Sequence, residues 1–230
     1  MSYSNVFDMK RVVGLDFLRI SLALLVFLFH SFVHIGCRYG ILTKFITYGA
    51  AVGMTGFFML SGYSLFLAYG NKNLMNWENT KTFYIKRFIA IFPLYIIVGV
   101  LCVIMKISTG AQSLSDNLLI IPIECLGIQS VFQGALFTYA HNDFTWFISC
   151  LLISYLLFPL LLTFFNDLTY KKKVVALLIL LALVIYIPYI VKRFGVTGMY
   201  TNPFYRMLEF SIGILTAQIS HRVSDRIIPW

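Results

Sequence analysis

The sequence predicts an all-α fold: a polytopic bundle of transmembrane helices, about six spans with one re-entrant or interfacial segment at 117–137. Three observations lead there. The 230 residues are 60% hydrophobic and only 12% charged, whereas soluble domains run about half apolar and about a quarter charged. The apolar residues fall in runs of roughly 20, the length needed to cross about 30 Å of hydrocarbon at 1.5 Å per residue. The basic residues collect on alternate connections, as the positive-inside rule asks.

Taken in order, the apolar runs lie near 14–36, 47–69, 88–106, 145–166 and 174–191, with a shorter one, MLEFSIGILTAQIS, within about 204–220. Each is expected to be helical, because backbone groups facing lipid must bond within their own segment. The N-terminal MSYSNVFDMKRVV has basic residues before the first run but no short apolar core with a small-residue cleavage site. The first span is therefore expected to be retained. The stretch NLLIIPIECLGIQSVFQGALF, at 117–137, carries Pro122, Glu124, Gly127 and Gln129, which weaken it as a lipid-facing crossing.

Charge decides its status. With the N-terminus inside and 117–137 not crossing, the inner side holds Lys10, Arg11, Lys72, Lys81, Lys86, Arg87, Lys171, Lys172, Lys173, Arg222 and Arg226. The outer side then holds only Arg38, Lys44, Lys106, Lys192 and Arg193, while Arg19 and Arg206 sit within or at the edge of spans. A crossing at 117–137 would put the triple lysine outside, against the rule. The net charge of +9 is thus mostly topology, with attraction to anionic membrane lipid as a by-product; no nucleic acid partner is expected. Cys37, Cys102, Cys125 and Cys150 lack metal-ligand spacing and read as small buried thiols. A Cys37–Cys150 disulfide has no support in the sequence. Without repeats or linkers, residues 1–230 read as a single domain.

The first span, GLDFLRISLALLVFLFHSFVHIG, carries Asp16, Arg19, His30 and His34. Arg19 and His30 are eleven residues apart, about 20° beyond three full turns, so they share a helix face roughly 16 Å apart along the axis. Asp16 and His34, three before Arg19 and four after His30, extend the same stripe. Aligned polar groups inside a span usually face a bundle interior or a water-filled cavity, where they mark a path or a reaction site. Asp16 with Arg19 also fits a simple ion pair anchoring the helix end, and His34 a polar residue at the membrane surface. His30 lies deeper, and its imidazole is suited to accept a proton near neutral pH. A metal held by HSFVH would need further ligands, and His141 and His221 fall at opposite faces or in loops, so no metal is expected.

The sequence resembles the acyltransferase-3 family of integral membrane O-acyltransferases, which includes bacterial O-antigen and exopolysaccharide acetyltransferases. The likeness rests on GLDFLR with the Arg19–His30 spacing and on GFFMLSGY (Gly56 to Tyr63). It continues in FYIKRFIAIFPLY (Phe83 to Tyr95) and TWFISCLLISYLLFPL (Thr145 to Leu160), and RMLEFSIGILTAQ (Arg206 to Gln218) is similar to a later family helix. The resemblance implies transfer of an acyl group, commonly acetyl, from cytoplasmic acyl-CoA to a hydroxyl of a cell-surface glycan or lipid-linked sugar. It implies His30 as catalytic base, Arg19 as a residue that helps orient it or the donor, and Lys86 and Arg87 against the CoA phosphates. Cationic side chains suit phosphate oxygens, and equally suit the role of inner-face anchors. Ser61 and Trp146 are candidate substrate contacts, although Ser61-Gly62 also reads as small-residue helix packing and Trp146 as an interfacial aromatic. The expected location is the bacterial cytoplasmic membrane, N-terminus inside.

The chain departs from the family pattern at Ala90, where a second arginine would stand, and in WFISCLLIS, which lacks a glutamate. It also has about six spans against the family's ten or so. The domain is therefore expected to be incomplete at its C-terminus: a fragment, a short form assembling as a homo-oligomer, or an inactive remnant. A transporter or channel-like protein with an Arg/His pathway is the alternative of a different class. It would be expected to show inverted repeats, which the sequence lacks.

Overall fold

In the computed structural model, residues 13–110, 114–132, 145–195 and 198–227 are described. They form seven α-helices and, among the described residues, no strand: α1 (Val13–His30), α2 (Thr43–Tyr69), α3 (Trp77–Ser108), α4 (Leu114–Cys125), α5 (Trp146–Asn166), α6 (Tyr170–Arg193) and α7 (Pro203–Ile227). Five segments are long and apolar enough to cross a membrane: α1 with the turn that follows it, α2 with its preceding turn, α3, α5 and α6. The sixth expected span, α7, is as long as the others but more polar and is not one of these five, and several of its polar side chains are enclosed by protein. Arg206, Glu209, Ser211 and Gln218 are all buried.

Helices α2, α5 and α7 form the core, and α6 and α1 lie against α7 and α2 respectively. Small residues set the two closest approaches. Along α2, Gly49, Gly53 and Gly56 receive Leu22, Leu25 and Val26 of α1. On the other side of α2, Gly62 faces the Phe210 carbonyl and Gly213 of α7 faces the Met59 carbonyl, with no room for a Cβ at either. Small residues that let backbones touch are how helices associate where burial from water gives little drive. Aromatic rings fill the rest: Phe58, Phe83, Phe158 and Phe210 are fully enclosed.

The antiparallel order fixes two ends. The Asn166 amide at the end of α5 donates to the Gly70 carbonyl after α2, and Gln218 of α7 donates to Asn166. These belong to the Arg19 end. At the other end, the Cys150 thiol donates to the Thr201 carbonyl. Between α3 and α5 the chain makes no net crossing. Tyr84 donates to the Leu156 carbonyl, and Gln129 bridges Tyr95 and Thr145, so α3 and α5 run antiparallel with α4 leaving and returning at the same end.

At 12 residues, α4 is about 18 Å long, short of a crossing. Its last turn meets Tyr95, whose hydroxyl donates to the Glu124 carbonyl, and Gly127, at φ +66°, reverses the chain. As far as residue 132 this fits the re-entrant or interfacial segment expected for 117–137; the remainder lies outside the described residues. Only Cys150 is buried as expected of the cysteines; Cys125 is exposed, Cys37 and Cys102 are partly so, and all four are free. A helix surface facing lipid has no need to hide a thiol.

Candidate functional site: a groove beside the first helix

The candidate site is built on one stripe of α2. Phe57, Ser61 and Ser64 are spaced four and three residues apart and so share a face, flanked by α1 on one side and α5 on the other. Ser64 accepts a hydrogen bond from the Arg19 Nη2 of α1 at 2.7 Å. Ser61 bonds the Tyr155 hydroxyl of α5 at 2.9 Å. Phe57 meets the Phe147 ring of α5 edge-on, with centroids 6.1 Å apart. Arg87 of α3 closes the α5 side, its guanidinium 6.0 Å from the centre of the Tyr155 ring. Its Nε is buried without a hydrogen-bond partner among the described residues.

Arg19 therefore does more than anchor the helix end. Its Nη1 pairs with Asp16 Oδ1 at 2.7 Å, while the other arm of the guanidinium reaches across to α2. The pair remains substantially exposed, Arg19 at 46%. His30 sits on the same face of α1, about 16 Å further along, partly buried at the last α-helical turn. Its ring stacks on His34 and meets Phe29 edge-on.

The sequence-derived candidates divide into two sets. Arg19, Ser61 and Arg87 converge on the Ser61–Ser64 stripe through the bonds just described. His30 lies toward the other end of the same face. Lys86 is exposed beside Arg87; both lie about 15 Å inside the start of α3 and not at its tip. Trp146, the first residue of α5, packs against Tyr200 at 5.0 Å and over the Arg206 guanidinium at 5.6 Å. His141 lies outside the described residues.

Sequence reading missed Ser64 and Tyr155, ordinary residues given meaning only by what faces them. It also passed over a buried charge cluster that R-x-x-E inside a span could have signalled. Arg206 and Glu209 are 2% and 0% exposed. Arg206 Nη1 donates to both Glu209 oxygens at 2.8 Å, and Nε donates to the Tyr200 carbonyl at 2.7 Å. Thr55 of α2 donates to Glu209 at 2.8 Å. The rings of Tyr200, Phe58, Trp146 and Tyr205 surround the guanidinium at 4.5–5.6 Å. Burial pushes the Tyr200 phenol above its ordinary pKa. This cluster ties α2 to α7 and backs Trp146 from behind.

The first helix thus carries a cation toward one end of this face and an imidazole toward the other. The acyltransferase-3 model, described as "Acyltransferase domain", matches residues 12–230. Acyltransferase MdmB of Streptomyces mycarofaciens is 26% identical over 190 residues, covering 76% of this chain and 48% of the relative. The chain thus spans about half the length of that curated relative. No solved structure matches. This integral membrane protein belongs to the acyltransferase-3 family.

Proposed function

We propose that the protein transfers an acyl group, acetyl in the first instance, from cytoplasmic acyl-CoA to a hydroxyl of a cell-surface glycan or lipid-linked sugar. The observation that supports this reading is the Arg19–Ser64 and Ser61–Tyr155 contacts with Arg87 beside Tyr155, on the helix that presents His30 on the same face as Arg19. His30 takes the proton of the acceptor hydroxyl as its oxygen attacks the thioester carbonyl. The C–S bond breaks, and the departing thiolate recovers a proton to leave as CoA thiol. Arg19 and Arg87, with exposed Lys86, offer charge-assisted hydrogen bonds to the donor's phosphates. Ser61 and Trp146 flank the path to the acceptor. The donor enters from the cytoplasm, which places the N-terminus inside and the protein in the bacterial cytoplasmic membrane. A second copy, or further helices, would wall the open side of the groove.

The test is transfer of labelled acetyl from acetyl-CoA into the glycan and lipid fractions of membranes holding the protein. General-base catalysis is worth about 10²–10⁴-fold, so His30→Ala should reduce incorporation by at least about 10²-fold. Arg87→Ala should chiefly raise KM for acetyl-CoA. A wild type that incorporates label equally with and without His30 would overturn the assignment.

A further inference from the structure

The segment after His30 does not continue as an α-helix. Ser31–Ile35 forms a π-helical turn, with the Gly36 amide donating to the Ser31 carbonyl five residues back. Gly36, at φ 76°, ends it in the left-handed region, which glycine adopts without strain. Single π turns of this kind are uncommon and often occur at functional sites.

The turn has a geometric effect on the histidines. In an α-helix, residues four apart are rotated by about 40° beyond one full turn. The wider turn winds less per residue and brings the fourth residue back over the first. Here His34 lies over His30, with ring centres 5.4 Å apart and planes inclined by only 13°. The Phe29 edge meets His30 at 5.3 Å and 70°. The His30 ring is thus bounded on one face by a parallel ring and by a perpendicular one beside it. Both nitrogens lie in the ring plane, clear of the stacked face, and Nδ1 is buried.

A second contact holds the turn. Ser31 is 5% exposed. Its hydroxyl donates to the Leu28 carbonyl at 2.8 Å, which uses its one proton, so the 2.6 Å contact with Tyr39 has the tyrosine donating. Tyr39 therefore clips the connection between α1 and α2 back onto the turn.

We propose that His34, held by the Tyr39–Ser31 clip, is a positioning residue for His30, acting through ring stacking. The inference rests on the reading of His30 as the base. It assigns HSFVH a role that neither a surface histidine nor a metal pair would have: His34 contributes an aromatic face, and a ring without nitrogens can replace it. His34 is itself exposed, so its substitution leaves the core untouched.

The experiment compares wild type, His34→Phe, His34→Leu, Tyr39→Phe and His30→Ala in membranes, with two readouts. The first is the rate at which diethyl pyrocarbonate modifies His30, followed by mass spectrometry. The second is acetyl transfer at saturating acetyl-CoA. An aromatic pair changes an equilibrium by about two- to tenfold. His34→Leu should accordingly raise His30 modification by about that factor and lower turnover similarly, with KM for acetyl-CoA unchanged. His34→Phe should retain wild-type behaviour in both. Tyr39→Phe should move both readouts in the same direction as His34→Leu.

Unchanged His30 reactivity in both His34→Leu and Tyr39→Phe would overturn the proposal. So would a His34→Phe variant as impaired as His34→Leu, which would mean that the second imidazole carries a proton. If the wild type transfers no acetyl but His30 reactivity responds as expected, the positioning role stands and the catalytic reading fails.

Discussion

Helices α6 and α7 are neighbours of nearly equal length with opposite designs. Between its basic ends α6 is apolar from Val174 to Val191, and none of its residues is buried. α7 carries arginine, glutamate, serine and glutamine, and all four of those side chains are enclosed. In a water-soluble protein the assignments would be reversed. The difference teaches what the bilayer asks of a helix: apolar surface needs no cover in lipid, while polar groups need protein partners. Polarity within a span therefore marks the inside of this bundle, and α7 is its centre.

That contrast breaks most severely at the ion pair. Arg206→Met leaves Glu209 buried with only Thr55 as its partner among the bonds described. Removing one member of a buried pair costs about 3–5 kcal/mol, so thermal unfolding in detergent should show a large loss. The double change Arg206→Met with Glu209→Leu should recover much of it, since neither charge is then stranded. Gly213→Ala tests the contact itself. A methyl there would meet the Met59 carbonyl, and overpacking of this kind costs about 1–3 kcal/mol, visible as a lower unfolding temperature. At the other extreme, Ile179→Thr on α6 changes a 54% exposed side chain and should shift stability by no more than about 0.5 kcal/mol. A larger loss at Ile179 than at Gly213 would invert the proposed inside and outside.

The bundle was legible in the sequence because its signals are local. Runs of apolar residues and the distribution of lysines located the spans and marked 117–137 as a segment that does not cross, which holds as far as residue 132. Boundaries were less so. α3 begins at Trp77, some eleven residues before its apolar run, because Asn76 caps it by accepting from the Glu78 amide, and the charged stretch that follows is helical without being apolar.

The site was half visible. Arg19 and His30 share a face by arithmetic alone. Ser64 and Tyr155 could not be found that way, since their part comes from neighbours 45 and 94 residues distant in the chain. The π turn was also hidden, because HSFVH has no residue that forbids an ordinary α-helix; the tyrosine eight positions after Ser31 supplies the second anchor.

The re-entrant segment has a consequence for how this architecture tolerates change. A crossing helix sets the parity of everything after it: removing one would invert α5, α6 and α7 and carry the lysines of α6 to the opposite face. A hairpin that enters and leaves on one side is neutral in this respect. The chain between Ser108 and Thr145 can be lengthened, shortened or exchanged without reversing the later helices. It reaches to Tyr95, beside the core, so such exchanges would alter the interior from a loop. Here a bundle of fixed orientation has room to vary.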